Sequence, residues 1–193
     1  MKMNWYENLN EYFPKEEMKS QEHIELLLEG DKDYYKDASK NHVLLYVEKD
    51  DFIFIDYLYV SGKTRGNGIG KKLLDKLKLK GKPIYLEVEP VDENEEDTEK
   101  RLRFYKREGF QHANTVSYVK NSLATGEKVE LEILYWSPDP TVRDEDVLRS
   151  MQEVYRDIHT YKDRELYGSE YIKTEEALKL KVNKKDILHE VKN

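Results

Sequence analysis

The chain has no cysteine among its 193 residues. That excludes disulfides, thiolate metal ligands and a cysteine nucleophile, and it fits a reducing, cytoplasmic setting. A second absence is a long apolar run: nothing approaches the roughly 20 residues that cross a bilayer, and Met1-Lys2-Met3-Asn4-Trp5-Tyr6 lacks the apolar core of a signal peptide. A soluble protein with no membrane partner is expected. Basic excess is missing too. Against 33 Lys and Arg stand 40 Asp and Glu, for a net charge of −7, so nucleic acid is not the expected partner, because that binding is driven by clustered cations and counterion release. What the chain does have is aromatic surface, with 15 Tyr, 5 Phe and 2 Trp. These supply a core despite the high charge content, in one domain or one domain plus an appendage.

The hydrophobic pattern predicts a mixed α/β order. Pro14 opens a helical stretch with Met18, Ile24, Leu27 and Leu28 on its apolar stripe, ending near Gly30 as one helix or two short ones. Val43–Val47 and Phe52–Val60 read as a hairpin of two strands. The second is apolar at both parities, as a central strand covered on both faces would be, and Asp56 is its lone charge. A helix follows from Ile69 to Leu79, stopped by Gly81-Lys82-Pro83. Ile84–Glu89 is then a strand with Ile84, Leu86 and Val88 toward the core and Tyr85, Glu87 and Glu89 on a polar face. The acidic run Asp92–Glu99 leads into a helix through Leu102, Phe104 and Tyr105, closed by Gly109. Val116–Val119 and Val129–Trp136 are two more strands. Ser137-Pro138-Asp139-Pro140 marks the boundary between a domain at 1–137 and an extension at 138–193. In that extension Val147, Leu148, Met151, Val154, Tyr155, Ile158 and Tyr161 make one amphipathic helix, expected to pack on the core or on a second subunit as a homodimer, before a charged, weakly helical tail.

One turn carries a chemical signal. Arg65-Gly66-Asn67-Gly68-Ile69-Gly70-Lys71 sits between a strand and a helix, where glycines bare backbone N–H groups and the helix dipole favours an anion, so the turn reads as a phosphate cradle. It lacks the Ser/Thr and the spacing of a P-loop, and its Gly-x-Gly-x-Gly is not the dinucleotide fingerprint. A tight strand-to-helix connection explains an isolated turn of this kind equally well. His23, His42, His112, His159 and His189 show no metal-ligand spacing, and no metal is expected.

The stretch Val60–Leu74, with Phe104-Tyr105-Lys106-Arg107-Glu108-Gly109-Phe110 downstream, resembles the acyl-CoA-binding core of the GNAT superfamily of N-acetyltransferases: the first part is similar to its Arg/Gln-x-x-Gly-x-Gly/Ala signature, the second to its Phe-Tyr-x-x-x-Gly-Phe helix end. The resemblance covers roughly residues 1 to 137. It implies the GNAT acyl-CoA N-acyltransferase fold, a mostly antiparallel mixed sheet flanked by helices, and transfer of an acetyl group from acetyl-CoA to an amine. It implies that the amides of Arg65, Gly66, Asn67, Gly68, Ile69, Gly70 and Lys71 hold the coenzyme A pyrophosphate. Leu58, Tyr59 and Val60 would line the pantetheine arm by strand-like pairing, with Phe104 and Thr98 as further cofactor contacts. Thr98 and Arg101 stand where the family commonly has Asn and a small residue. Tyr105 occupies the family's general-acid position, able to protonate the departing thiolate. Attack requires a neutral amine, and an alkyl amine titrates near 10, so a carboxylate base is expected. Glu87 is the first candidate, Asp56 the second and Glu89 the third, each also readable as a carboxylate paired to a Lys or Arg. The acidic run is placed beside the acceptor end, where it would attract a cationic small molecule or peptide. The alternative function is a non-catalytic acyl-CoA-binding regulator or protein-interaction module on the same fold.

Overall fold

Alternation of Val, Leu, Ile, Phe and Tyr at strand spacing builds a single mixed sheet, and helices cover both of its faces. The computed structural model describes residues 4–182 and 185–192. Its strands are β1 Tyr34–Ser39, β2 His42–Glu48, β3 Ile53–Val60, β4 Ile84–Val88, β5 Gln111–His112, β6 Val116–Asn121, β7 Lys128–Trp136 and β8 Leu178–Leu180. They lie in the order β1-β2-β3-β4-β7-β6-β8, with β5 on β7. Neighbours are antiparallel except β3 and β4, which run parallel. The helices are α1 Trp5–Tyr12, α2 Gln21–Gly30, α3 Ile69–Lys78, α4 Glu96–Arg107, α5 Asp144–Val154, and three short ones, α6 Asp163–Tyr167, α7 Thr174–Ala177 and α8 Ile187–Glu190. Among the described residues no helix is long and apolar enough to cross a membrane.

The core divides by strand parity. Phe52, Phe54, Val43, Leu45 and Tyr85 face one side with Leu9, Ile24 and Leu27; Ile53, Ile55, Leu44, Ile84 and Leu86 face the other with Leu74, Leu77 and Leu102. Both faces of β3 are therefore covered, as its run of apolar residues predicts. The face of β4 expected to be polar is covered as well. Tyr85 is 2% exposed and belongs to the same cluster as Val147, Met151, Val154 and Ile158 of the C-terminal extension. The amphipathic stripe of α5 shields it from water, which strand parity alone does not reveal.

The break in the first helical stretch has a clear cause. A 3-10 turn at Lys15–Glu17 ends before Ser20, whose hydroxyl accepts from the His23 N–H and caps α2. Between them the Lys19 N–H donates to the Tyr57 hydroxyl at 2.9 Å, and that hydroxyl donates to the Glu17 carbonyl at 2.9 Å. The interruption thus pins Glu17 and Lys19 against the middle of β3. Elements absent from the sequence reading include α1, the polar edge strand β1, the two-residue β5, and β8. β8 pairs with β6 from within the tail expected to be weakly helical.

Candidate active site

The site begins where the parallel ladder stops. β3 and β4 pair at Ile53 with Ile84, Phe54 with Tyr85 and Ile55 with Leu86; beyond these, β3 runs on to Val60 with no partner on that side among the described residues. An unpaired length of strand edge offers backbone N–H and C=O groups to an extended ligand. Beside it opens a cleft of about 450 Å³, walled by Leu58 and Val60 of β3, the loop from Thr64 to Lys71, Arg101, Phe104 and Tyr105 of α4, and Tyr12 of α1.

The glycine turn forms the cleft's outer end, and its three glycines do different work. Gly66 and Gly68 have φ of +88° and +75°, the left-handed region in which a Cβ is strained. Gly68 is the N-cap of α3, and no side chain caps it. The N–H groups of Ile69, Gly70 and Lys71 donate to nothing among the described residues, so a helix N-terminus with open donors faces the cleft. Gly70 is helical, and its reason is packing: a Cβ there would stand 3.0 Å from the tip of the Phe104 ring. Arg65 donates through Nε to the Val60 carbonyl at 3.2 Å, lies 4.8 Å over the Tyr12 ring and reaches Asp97 at 3.5 Å. Lys71 also lines the cleft, its ammonium bonded to Asp75 at 2.6 Å. Three residues named from the sequence lie apart from the walls. Asn67 is exposed on the loop. Tyr59 packs its ring on Tyr12 at 5.5 Å. Thr98 is buried with its hydroxyl donating to the Glu95 carbonyl at 2.8 Å and accepting from the Asp92 N–H at 3.0 Å, which makes it a clasp on the acidic loop.

At the inner end of the cleft, Leu58, Arg101 and Tyr105 also wall a small polar cavity of about 40 Å³. Tyr105 is 5% exposed and packs on Phe110, and burial raises its phenol so that it stays protonated at neutral pH. Arg101, too bulky for the family pattern, stacks over Tyr12 at 5.4 Å and Phe13 at 5.3 Å and meets Glu89 at 3.5 Å, filling the space between α4 and α1. Across the cavity, Asp56 accepts from Lys19 Nζ at 2.7 Å and from the Tyr34 hydroxyl at 2.6 Å. Burial pushes its carboxyl up, but Lys19 and then His159 outweigh this and hold it below the ordinary carboxylate range. Glu87 accepts from Nε2 of His159 at 2.6 Å. Its burial is likewise outweighed, by His159 and Lys120, and its carboxyl is held down to about 2. The first two candidate carboxylates are thus paired and border the cavity beside Tyr105, whereas Glu89, the third, meets Arg101 and lies outside that cavity's lining.

A third concavity, an acidic groove of about 610 Å³, holds Glu16, Glu17, Glu89, Asp92, Glu93 and Glu95. Glu17 lines both the groove and the small cavity. Burial first, and then the neighbouring Glu89 carboxyl, push Glu17 up to about 9. Sequence reasoning missed Tyr12, Glu17, Lys19, Lys120 and His159. For His159 a signal existed: it falls four residues after Tyr155 on the apolar stripe of the C-terminal helix, where a polar side chain is buried and requires a partner.

Comparison with known proteins decides the family. Residues 34–112 match the model of the acetyltransferase (GNAT) domain. YjbC of Bacillus subtilis (strain 168), a protein assigned to the acetyltransferases, is 58% identical over 179 residues, covering 92% of this chain and 93% of that one. The chain belongs to the GNAT family of acetyltransferases. A GNAT-family structure from Bacteroides thetaiotaomicron shares the fold, with a TM-score of 0.61 and 22% identity over 86% of this chain and 91% of that one. Within this acetyltransferase the matched segment holds the glycine loop, Asp56, Glu87 and Tyr105, whereas Tyr12, Glu17, Lys19, Lys120 and His159 lie outside it.

Proposed function

We propose that this acetyltransferase transfers an acetyl group from acetyl-CoA to a cationic amine by direct attack. The observation that carries the reading is the set of open N–H donors at Ile69, Gly70 and Lys71, aimed at a cleft that continues along the unpaired edge of β3. A pyrophosphate docks on those donors, where the helix dipole and the charge-assisted hydrogen bonds favour it. The pantetheine arm then runs along Leu58 to Val60 as an added strand, bringing the thioester toward Tyr105. A backbone N–H of β3 stabilises the oxyanion as the amine adds. The C–S bond breaks as the tetrahedral species collapses, and Tyr105 supplies the proton that the thiolate takes up. A phenol raised by burial suits this role, since it is neutral until the leaving group demands a proton.

The acidic groove supports a cationic acceptor, because its carboxylates raise the local concentration of ammonium groups next to Glu17 and the inner cavity. Asp56 and Glu87 contribute negative charge to the floor of the acceptor side. In this reading residues 1–137 contain the acetyl-CoA cleft, and residues 138–193 brace the sheet behind it. The test is direct. Calorimetry with acetyl-CoA should register binding, and thiol release should follow with at least one of spermidine, kanamycin, a peptide N-terminus or a lysine peptide. Absence of acetyl-CoA binding would refute the reading; binding with no thiol release across that panel would refute the transfer.

A further inference from the structure

His159 is the most deeply placed ionisable side chain that the C-terminal extension brings to the site. It is 2% exposed and enters from the turn of π-helix, Tyr155–His159, that ends α5. Its ring stands edge-on to Phe54 and to Tyr155. Nε2 meets Glu87 Oε1 at 2.6 Å, and an ionised carboxylate only accepts, so Nε2 carries the hydrogen. Nδ1 is buried and has no hydrogen-bond partner among the described residues. A protonated imidazole would put a second N–H there with no protein group among the described residues to receive it, which favours a neutral resting ring with a bare lone pair. Burial, which lowers the imidazole against the pull of Glu87, agrees.

The cavity beside it is polar and holds room for about two waters. Its carboxyl groups and Tyr57 are already committed. Asp56 is taken by Lys19 and Tyr34, and Glu87 by His159. Tyr57 gives its hydrogen to the Glu17 carbonyl. Glu17, pushed up to about 9, already holds a proton at neutral pH. The cavity is too small to admit an acceptor molecule, yet it shares Tyr105 and Leu58 with the cleft and Glu17 with the acidic groove.

We infer that His159 is the proton acceptor of the reaction, taking the proton of the acceptor ammonium at Nδ1 through water in this cavity, with Glu87 as the positioning residue that holds its tautomer. The inference rests on the acetyl-transfer reading. One N–H bond of the ammonium breaks as a proton passes through water to Nδ1, and the freed electron pair attacks the thioester carbonyl. The C–N bond forms, the C–S bond breaks, and the second N–H proton ends on the thiolate by way of Tyr105. The imidazolium then returns its proton to solvent, so the products are the amide, the thiol and one proton. Glu87 and Asp56 stabilise the transient imidazolium; Lys19, Lys120 and His23 oppose it and favour its discharge.

The decisive variant is His159→Gln, whose amide nitrogen keeps the hydrogen bond to Glu87 but takes up no proton. Acetyl-CoA affinity by calorimetry should stay at the wild-type value. kcat on whichever amine of the panel the wild type acetylates should fall about 10²-fold or more, and the acid limb of the kcat/KM profile should disappear. Wild-type rate and pH profile in a folded, acetyl-CoA-binding His159→Gln protein would overturn the inference and leave the acetyl-transfer reading intact; a wild type that acetylates none of the panel would count against that reading instead. Histidine nitrogen NMR on the wild-type chain provides an arm independent of turnover and of the variant's folding. A bare Nδ1 with hydrogen on Nε2 at neutral pH supports the inference, and hydrogen on Nδ1 overturns it.

Discussion

Replacing Gly68 with alanine tests the phosphate cradle. At φ +75° an L-residue is strained by about 1–2 kcal/mol, and for a chain of this length each kcal/mol lowers Tm by about 2–4 °C, so Gly68→Ala should melt about 2–8 °C below wild type. The new methyl group meets no atom within 4 Å, so the ligand-free protein has no other reason to change. Either the backbone relaxes out of the left-handed region and turns the first N–H groups of α3 away, or it stays and sets a Cβ on the cleft wall. In both cases the pyrophosphate loses at least one charge-assisted hydrogen bond, worth about 1.5–3 kcal/mol, which is about a tenfold to hundredfold loss of acetyl-CoA affinity. Gly81 is the internal control. It has φ of +70°, equally open surroundings, and a position outside the cleft. Gly81→Ala should show the same drop in Tm and unchanged affinity. Calorimetric titration of both variants beside thermal melts separates the effects. If Gly68→Ala binds acetyl-CoA as Gly81→Ala does, the cradle is refuted.

Tyr105→Phe should lower kcat about 10²-fold or more while acetyl-CoA affinity stays near wild type; equal loss of both would assign the ring to packing alone. Stability should peak in mildly acidic solution and decline toward alkaline pH. His23, fully buried between the Ile158 carbonyl and the Tyr167 hydroxyl, is lowered to about 3, by burial first and Lys19 second, so the unfolded chain binds a proton there that the native one does not and stability rises with pH up to about 6.5. Glu17, raised to about 9 by burial first and Glu89 second, keeps a proton in the native state that the unfolded chain releases above about 4.5, so its contribution is lost as pH rises toward about 9. Below about 6.5 the buried, neutral His23 and His159 oppose Glu17; above it the two imidazoles no longer contribute a slope and the loss at Glu17 continues. Glu17→Gln should flatten the alkaline decline in denaturant midpoints measured from pH 6 to 9, and a parallel decline in the variant would place its cause elsewhere.

Much of this architecture is legible in one dimension because it depends on local rules. A strand apolar at both parities, Phe52 to Val60, has to be central, and it is. Glycines at 66 and 68 between a strand and an amphipathic helix mark a left-handed turn, and the backbone adopts one. The Phe-Tyr-x-x-x-Gly-Phe segment places Tyr105 in the last turn of α4, and there it meets the inner end of the cleft. Such signals survive because period, φ preference and capping are properties of short segments.

What the tertiary structure alone decided is who stands opposite whom. Glu87 and Asp56 are visible in the sequence as charges inside apolar strands, but their partners are 72 residues away in His159 and 37 away in Lys19. A buried carboxylate requires a counter-group, and nothing in its own strand specifies which distant segment will provide it. Gly70 appears in the sequence as a third member of a phosphate turn, whereas in space its hydrogen is the gap into which the Phe104 ring fits. Residues 138–193 follow a proline boundary that invites a separate appendage, yet α5 and β8 complete the same sheet and core, because the apolar stripe of one and the unpaired edge of β6 had no better place to be buried. Spacing along a chain encodes the elements; the chemistry of this site depends on contacts between segments, which arise only when the faces close.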